Sequence, residues 1–515
     1  MTQSVIVRIL GASACAALLA FAVGSDVAAA ATASCESLAS LSLPHTTITS
    51  AQSVAAGGFR LPGAARGNGG PDFSKLPAFC RVAATLTPSS DSDIKVEVWL
   101  PASGWNEKLQ VVGNGGWAGA ISYPAMSTAL QHGYVTSSTD TGHVGANASF
   151  ALGHPEKLID YAYRSEHEMT VAAKAVANAF YGRTPKISYF NGCSTGGRQA
   201  IVEAQKYPDD FDGIVAGAAA NPKTHLDSWR IWMAQAMLKD ANSFIPPAKH
   251  AMIHEAVLAK CDALDGLKDG LIDDPRQCHF DPKTLQCAGA DGPNCLTAAQ
   301  VEAAKVVMSP FKHPKTGELL FPGFEPGNEL GWARMLGGPD AYNTAIDQFK
   351  FVVFSDPKWD WRTFNVERDV PIADKSGQST LLTNVDPNLS AFAKHGKLLM
   401  YHGWADQDIA PQASVNFYTN TRKTTTGVSD ASWVRLFMVP GMQHCGGGEG
   451  PNTFDMMAAI EPWVEQGKAP ERIVASHSSA GKVDRTRPLC PYPQVARYSG
   501  SGSVDDAANF TCKAP

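Results

Sequence analysis

Short apolar segments alternate with amphipathic ones along much of the chain. Residues 94–100 (IKVEVWL) alternate between apolar and polar side chains and predict a strand. Further short apolar runs predict buried strands, and stretches with apolar residues three or four positions apart predict helices. The strands are expected at 108–113, 134–138, 187–190, 211–219, 397–402 and 433–439, and the helices at 169–181, 198–205 and 453–466.

Strands that alternate with helices indicate an α/β fold, with a mostly parallel sheet covered on both faces. Residues 35–90, which are rich in Gly and Pro, are expected to form loops. The alternation stops at residue 221 and resumes near 397, and an inserted lid domain is the simplest interpretation. The predicted organisation is a catalytic domain of residues 31–220 and 393–515 with a lid domain at 221–392, although further sheet within the insertion stays an alternative.

Composition and charge exclude some classes of protein. The 515 residues are 44% hydrophobic and 18% charged, which is typical of a globular chain. There are 43 basic and 49 acidic residues, a net charge of −6, and no long basic run. A nucleic-acid partner or a polybasic membrane contact is therefore not indicated. No pattern indicates an oligomeric state.

The amino terminus predicts export. Arg8 is the only charged side chain before the apolar run 9–23, and small residues follow at 27–31. This pattern predicts a cleaved signal peptide at residues 1–30, and hence a secreted or periplasmic protein with no membrane anchor in the mature chain. A membrane anchor is the weaker alternative because the run is short. Cleavage also removes Cys15, which leaves an even number of cysteines for an oxidising compartment.

The sequence Gly-Cys-Ser-Thr-Gly at 192–196 places Ser194 between a predicted strand and a predicted helix. A nucleophile elbow requires this context, so Ser194 is the candidate nucleophile, and an ordinary Gly/Ser turn is the alternative. In this fold class an acid and then a histidine follow along the chain. Asp406 and His444 each follow a predicted strand and are the candidates for these roles. Asp408 competes with Asp406, and His143 and His402 are further histidines to consider.

The cysteines beside these residues favour His444. Cys193 directly precedes Ser194, and Cys445 directly follows His444. A disulfide between them would hold their Cα atoms about 4.4–6.8 Å apart and make the nucleophile and base neighbours. Pairing of both cysteines elsewhere stays an alternative.

An attacked carbonyl also needs hydrogen-bond donors for its oxyanion. One is expected to be the backbone N–H of Thr195, the residue after the nucleophile. The other is expected from the glycine-rich segment 113–117, where Gly116 is preferred and Gly115 is the alternative.

Cys193-Ser194, Asp406 and His444-Cys445 together resemble the CS-D-HC arrangement of the tannase and feruloyl esterase family. The resemblance covers nearly the whole mature chain. It implies an α/β-hydrolase fold with a lid inserted between nucleophile and acid. It also implies a serine esterase whose small-molecule substrates are esters of aromatic acids, such as gallates, ferulates or hydroxyethyl terephthalate. No redox cofactor is implied.

The resemblance also implies structural calcium. Carboxylates spaced through the loop 261–271 could gather around a hard cation, although the spacing is not that of an EF-hand and a solvated acidic turn is the alternative. The family's calcium loop is similar, which would make ligands of the Asp262, Asp265 and Asp269 side chains and the Leu267 and Leu271 carbonyls. Proximity and the family's scheme of five bridges also imply the disulfides Cys193–Cys445, Cys35–Cys80, Cys261–Cys278, Cys287–Cys295 and Cys490–Cys512.

Two other functions remain compatible with these residues. One is a peptidase or lipase with the same triad. The other is a non-catalytic, calcium-stabilised binding protein on a hydrolase scaffold, although the intact triad argues against it. The aromatic residues Trp359, Trp361 and Phe364 are expected to pack in the lid core rather than to select a substrate.

Overall fold

The computed structural model describes Met1 and residues 33–62, 72–383 and 385–515. Apart from Met1, the expected signal peptide at residues 1–30 lies outside the described part of the chain. No helix formed by the described residues is long and apolar enough to cross a membrane.

The described residues form fifteen strands, nine of which belong to one sheet. The strand order in this sheet is β1-β2-β3-β5-β4-β6-β7-β10-β11. Strand β3 pairs antiparallel with β2 and β5, and the strands from β5 to β11 run parallel. The strands are β1 (Thr46–Val54), β2 (Phe79–Leu86), β3 (Ile94–Pro101), β4 (Lys108–Val112), β5 (Val135–Thr139), β6 (Ile187–Cys193), β7 (Gly213–Gly217), β8 (Phe311–Lys312), β9 (Leu319–Phe321), β10 (Lys397–Gly403), β11 (Val434–Val439), β12 (Ile473–Ser479), β13 (Lys482–Leu489), β14 (Val495–Tyr498) and β15 (Phe510–Lys513).

Helices surround the sheet and fill most of the insertion. The α-helices are α1 (Tyr123–Gln131), α2 (Pro155–Ile159), α3 (Ser165–Tyr181), α4 (Thr195–Lys206), α5 (Lys223–Met237), α6 (His250–Cys261), α7 (Ala298–Val307), α8 (Ala333–Leu336), α9 (Asn343–Asp347), α10 (Val366–Lys375), α11 (Gly377–Thr380), α12 (Ser390–Ala393), α13 (Gln412–Thr424), α14 (Asp430–Trp433) and α15 (Met456–Gln466). Two π-helical segments are Asp160–Arg164 and Gln348–Val353. Short 3-10 helices lie at Glu36–Ser40, Ala148–Ala151, Pro247–Lys249, Asp262–Asp265, Pro275–Gln277, Pro282–Leu285, Glu329–Gly331, Trp361–Thr363 and Ala507–Asn509.

Strand β10 shows how the parallel sheet is buried on both faces. Leu398 and Met400 pack with α3, α4 and α13 on one face. Leu399 and Tyr401 pack with α15 on the other face. A strand buried on both sides reads as a continuous apolar run, because successive side chains point to opposite faces. The expected α/β-hydrolase class, with a mostly parallel sheet flanked by helices, is confirmed.

The loops expected at residues 35–90 are a wrong prediction, because this part of the chain contains β1 and β2. Strand β1 lies at the edge of the sheet, and its side chains are half-buried or exposed. An edge strand needs few apolar residues, so the sequence of β1 lacks the apolar pattern that would predict a strand. In β2 the small alanines mask the alternation that its burial shows. The sequence also gave no indication of the two hairpins after α15, β12–β13 and β14–β15.

Residues 221–392, called the lid below, lie between β7 and β10 and add no described strand to the large sheet. They form helices and one small hairpin, β8–β9. Their apolar residues form most of a further hydrophobic core, which contains Trp361 and Phe364 and has Trp359 packed against it. Trp361 and Phe364 are therefore core residues, as expected, and Trp359 is a half-buried neighbour of the same core. This core also contains Ala220, Ile409, Ala410 and Ala413.

All described cysteines are bonded in disulfides. The five pairs implied by the family resemblance form in the structure: Cys35–Cys80, Cys193–Cys445, Cys261–Cys278, Cys287–Cys295 and Cys490–Cys512.

Candidate active site

Ser194 occupies a sharp turn between β6 and α4. Its backbone angles are φ 64° and ψ −121°, a region that residues with a Cβ rarely adopt. The turn is held at both ends, because the Ser194 N–H donates to the Gly217 carbonyl (3.0 Å) and the Ser194 carbonyl accepts from the Ala220 N–H (3.1 Å). The strained residue is thus a serine whose side chain is presented at the carboxyl end of the sheet.

Glycines make this turn sterically feasible. A Cβ on Gly192 would lie 2.5 Å from the Gly196 carbonyl oxygen, and a Cβ on Gly113 would lie 2.6 Å from the Gly196 Cα. Neither contact is tolerated, so the strand, the helix and the neighbouring loop can approach only through glycine.

His444 joins the serine to a buried carboxylate. Its Nε2 lies 2.9 Å from Ser194 Oγ, and its Nδ1 lies 2.7 Å from Asp406 Oδ2. Since a carboxylate only accepts hydrogen bonds, Nδ1 carries the proton and Nε2 is free to accept from the serine hydroxyl. The sequence-predicted Ser194, His444 and Asp406 are thus brought into one hydrogen-bonded chain.

The charges around the histidine favour its protonated form. Burial alone would raise the pKa of Asp406, but the positive charge of His444 and hydrogen bonds from His402 and His444 outweigh it and hold this pKa well below its usual range. Burial also opposes protonation of His444, yet the charge and hydrogen bond of Asp406 raise the pKa of His444 above its ordinary value. An ionised Asp406 can therefore stabilise an imidazolium.

Asp408 occupies a different place from Asp406. Its Oδ2 lies 3.8 Å from His444 Nε2, on the serine side of the ring rather than beside Nδ1. Both its carboxylate oxygens accept from Arg334 Nε at 2.7 Å, and its backbone carbonyl accepts from Arg230 Nη2 at 2.8 Å. Arg230 and Arg334 belong to the lid, so lid residues brace the loop that carries both aspartates. Sequence reasoning did not identify either arginine.

The two other histidines have different surroundings. His143 Nε2 lies 2.8 Å from the Trp117 carbonyl, so this ring contacts the glycine-rich loop. His402 Nε2 lies 2.9 Å from Asp406 Oδ2, the oxygen that His444 also contacts. The sequence contained a signal for the second contact, since His402 and Asp406 are four residues apart at the end of β10.

The glycine-rich loop lies directly beside the helix that follows Ser194. The Gly116 carbonyl accepts from Thr195 Oγ1 (2.9 Å) and from the Tyr161 hydroxyl (2.5 Å). Within the described residues, the backbone N–H groups of Thr195, Gly116 and Gly115 have no acceptor. The lid also contacts this loop, because Trp117 Nε1 donates to the backbone carbonyl of the lid residue Thr344 (3.1 Å).

The acidic loop 261–271 is folded by its own carboxylates. Asp262 Oδ1 accepts from the Asp269 and Gly270 N–H groups at 3.1 Å, and Asp265 Oδ1 accepts from the Leu267 N–H at 2.8 Å. Asp269 Oδ1 accepts from the Leu271 N–H at 3.2 Å. The five residues expected as calcium ligands thus lie in one compact turn.

Three arginines of the C-terminal hairpins hold this loop. Arg487 pairs with the Asp269 carboxylate, Arg485 donates to the Asp269 carbonyl (2.8 Å), and Arg497 donates to the Asp265 carbonyl (2.9 Å). The loop is therefore attached to residues far away in the sequence.

The donor set of the loop fits a hard divalent cation. Burial and the charges of Asp269 and Asp262 raise the pKa of Asp265, so negative charge is concentrated here. The neighbouring Asp273 is buried, and its Oδ1 has no hydrogen-bond partner among the described residues. Oxygens of Asp262, Asp265 and Asp269 are not gathered within 4.8 Å of one another in the described structure.

Among the described residues, Cys287, Asp291 and Cys295 do have ligand atoms that are close together. Its two cysteines form a disulfide, so they cannot bind a metal as thiolates.

The strand order and the serine-bearing turn define a hydrolase of the α/β class. Known proteins are similar over most of the chain. The family model described as tannase and feruloyl esterase matches residues 80–513. An uncharacterized esterase of Xanthomonas campestris is 39% identical over 94% of this chain and 92% of its own length. A protein of Aspergillus fumigatus named probable feruloyl esterase B-1 is 35% identical over 84% of this chain and 85% of its own.

The fold comparison agrees with these sequence matches. The crystal structure of feruloyl esterase B from Aspergillus oryzae superposes with a TM-score of 0.86 and 32% identity, and the match covers 93% of this chain and 99% of that one. The chain belongs to the tannase and feruloyl esterase family. It is a carboxylic ester hydrolase.

Proposed function

We propose that the protein is a serine esterase that hydrolyses esters of aromatic acids through an acyl-enzyme. The observation that carries this proposal is the single ring of His444, which contacts Ser194 Oγ at 2.9 Å and Asp406 Oδ2 at 2.7 Å. The names of the feruloyl esterase relatives support an aromatic acid as the acyl part of the substrate.

The proposed reaction begins when Ser194 Oγ attacks the ester carbonyl and passes its proton to His444 Nε2. Asp406, buried and ionised, stabilises the imidazolium that forms. The imidazolium then protonates the departing alcohol, which leaves the aromatic acid esterified to Ser194. Water, deprotonated by His444, attacks this ester and releases the acid and the free serine.

We assign the oxyanion site to the backbone N–H groups of Thr195 and Gly116. Both N–H groups have no acceptor within the described residues, and the hydrogen bond from Thr195 Oγ1 to the Gly116 carbonyl keeps the two peptides together. Preorganised donors of this kind stabilise the negative charge that develops on the carbonyl oxygen.

Three further features complete the proposal. Residues 221–392 act as a lid, which is supported by the contact of Trp117 with Thr344 and by the bracing of Asp408. Calcium bound by Asp262, Asp265, Asp269, Leu267 and Leu271 stabilises the acidic loop and takes no part in the chemistry. The protein is secreted or periplasmic, which its five disulfides support.

A panel of esters tests the proposed substrate class. The compounds are methyl gallate, methyl ferulate, chlorogenate and hydroxyethyl terephthalate, with methyl butyrate as an aliphatic control. We expect kcat/KM to be at least about a hundredfold higher for one or more aromatic esters than for methyl butyrate, because an aromatic ring adds buried contact area. Equal or faster hydrolysis of methyl butyrate would contradict the aromatic assignment.

A further inference from the structure

A second histidine contacts the acid of the triad. His402, at the end of β10, is fully buried. Its Nε2 lies 2.9 Å from Asp406 Oδ2, and His444 Nδ1 contacts the same oxygen at 2.7 Å. Because a carboxylate cannot donate, His402 carries a proton on Nε2 and donates it to Asp406.

The other nitrogen of this ring is also occupied. His402 Nδ1 lies 2.8 Å from the Ser414 hydroxyl on α13. In the neutral ring, that hydroxyl donates to Nδ1 and leaves the proton on Nε2, where Asp406 needs it. The Ser414 contact therefore selects the tautomer of His402. Hydrogen-bond partners of the non-ligating ring nitrogen do the same for metal-bound histidines.

The second oxygen of Asp406 accepts from the backbone N–H groups of Asp408 (2.7 Å) and Ile409 (2.9 Å). Of its four donors, only His444 belongs to the proposed reacting pair. The other three, the His402 ring and two backbone N–H groups, fix the orientation of the carboxylate independently of His444.

We propose that His402 is a positioning residue of the catalytic site. It holds the Asp406 carboxylate in place, and its hydrogen bond to Oδ2 tunes the basicity of His444, which contacts the same oxygen. The inference rests on the proposed function, since it assigns His402 a part in that reaction. Two donors on one oxygen compete for its negative charge, so the donation by His402 weakens the pull of Asp406 on the His444 proton.

The direction of the effect follows from this competition. Without the His402 donor, Oδ2 carries more uncompensated charge, the His444 imidazolium is better stabilised, and the pKa of His444 rises. At the same time Asp406 loses a constraint, and kcat falls. The charged groups that also face this site, Asp408, Arg230 and Arg334, contact one another, and none of these contacts involves His402.

The test compares His402→Leu, which loses the donor, with His402→Gln, whose side-chain amide can reach Asp406 in place of Nε2. Ser414→Ala is a third variant, which keeps the His402 ring but removes the hydroxyl that selects its tautomer. For each variant, kcat and the pH profile of kcat/KM are measured on one aromatic ester. Thermal unfolding reports folding.

For His402→Leu we expect kcat to fall about tenfold or more, as for the loss of a hydrogen bond to a charged group. The acidic midpoint of the kcat/KM profile should rise by about half a unit or more. His402→Gln should restore most of both, and Ser414→Ala should change both in the same direction as His402→Leu but by less. A His402→Leu protein with wild-type kcat and midpoint, changed only in Tm, would overturn the inference.

If His402→Leu does not fold, NMR of the wild-type enzyme with isotope-labelled histidine tests the contact between His402 and Asp406 instead. Two low-field imidazole N–H signals are expected, one from His444 Nδ1 and one from His402 Nε2, and His402→Gln should remove one of them. A single such signal, unaffected by His402→Gln, would contradict the contact. Retained turnover in Ser194→Ala would instead show that the proposed function itself is wrong, whatever the His402 variants do.

Discussion

Cys193 and Cys445 form a disulfide that joins the residue before Ser194 to the residue after His444, with Cα atoms 6.0 Å apart across a sequence separation of 252. Ser194 and His444 follow different strands, β6 and β11, so their relative position depends on how those strands pack. The disulfide joins the two chain segments directly, next to the side chains of Ser194 and His444.

Removing this bridge should impair catalysis more than a distant bridge does. For Cys193→Ser/Cys445→Ser we expect kcat/KM to fall at least about tenfold, because small displacements of reacting groups are costly. Stability should also fall, by at most about 5 kcal/mol for so long a loop. Steady-state kinetics and thermal unfolding measure the two effects.

The matched control is Cys490→Ser/Cys512→Ser, which removes a bridge in the C-terminal hairpins. It should lower Tm while the folded enzyme keeps its turnover. Similar kinetic losses in both double variants would show that the Cys193–Cys445 bridge has no particular role in aligning Ser194 with His444.

The two neighbouring aspartates should differ sharply in their effect on turnover. Asp406→Asn keeps the shape of the side chain but removes the charge opposite His444 Nδ1, so kcat should fall about 10⁴-fold. Asp408→Asn removes a charge that Arg334 already pairs, so we expect a loss of about tenfold or less. Comparable losses in both variants, measured on the same ester, would refute the assignment of the acid to Asp406.

Chelation should destabilise the acidic loop. With EDTA we expect the wild-type Tm to fall by several degrees and to recover with added Ca²⁺ but not with Mg²⁺, because a loop of carboxylates and carbonyls suits the larger ion. Asp265→Asn should have a lower Tm and lose this response, whereas Glu255→Gln on α6, a matched substitution outside the loop, should keep it. A wild-type Tm that is insensitive to EDTA would exclude calcium at this site.

Deprotonation of His254 should lower the stability of the folded protein at alkaline pH. Its Nδ1 and Nε2 lie 2.8 Å from Glu329 and Glu449, so it links the lid to the loop after His444. Burial alone would lower the pKa of His254, but its hydrogen bonds with Glu329 and Glu449 raise it from 6.5 to about 9. A folded-state pKa above the unfolded value gives stability that is fully present below pH 6.5 and is lost as the pH rises through 9.

We therefore expect the wild-type Tm to fall by a few degrees between pH 7 and about 9.5. His254→Gln should have a lower Tm at pH 7 and a flatter dependence on pH. His477→Gln provides the control, since the contact of His477 with Asp484 is exposed. If His254→Gln keeps the wild-type slope, the bridge does not carry the pH dependence.

Local sequence signals predicted the core of the site. Ser194 was identified by glycines and flanking elements, and His444 and Asp406 by chain order and strand ends, because the fold class ties these roles to strand termini. Cys193 and Cys445 then added a long-range constraint. In the fold, the buried parallel strands were predicted well, since a strand covered on both faces is apolar throughout.

Contacts between distant segments that no pair of cysteines marks could not be predicted. Arg230 and Arg334 brace the Asp408 loop from the lid, and no spacing in the sequence relates them to it. The contact of His254 with Glu449, 195 residues away, could not be predicted for the same reason. The edge strand β1 was missed because its side chains are only half-buried or exposed and need no apolar pattern.

Substitution of Ser194 by alanine tests the central claim most directly. The variant is compared with the wild type for turnover of an aromatic ester and for labelling by a fluorophosphonate, located by peptide mass spectrometry. We expect Ser194→Ala to keep the wild-type Tm, to lose about 10⁴-fold or more of kcat, and to take up no label, whereas the wild type is labelled on the peptide containing Ser194. Wild-type turnover in a folded Ser194→Ala protein, or a label on another residue, would contradict Ser194 as the nucleophile.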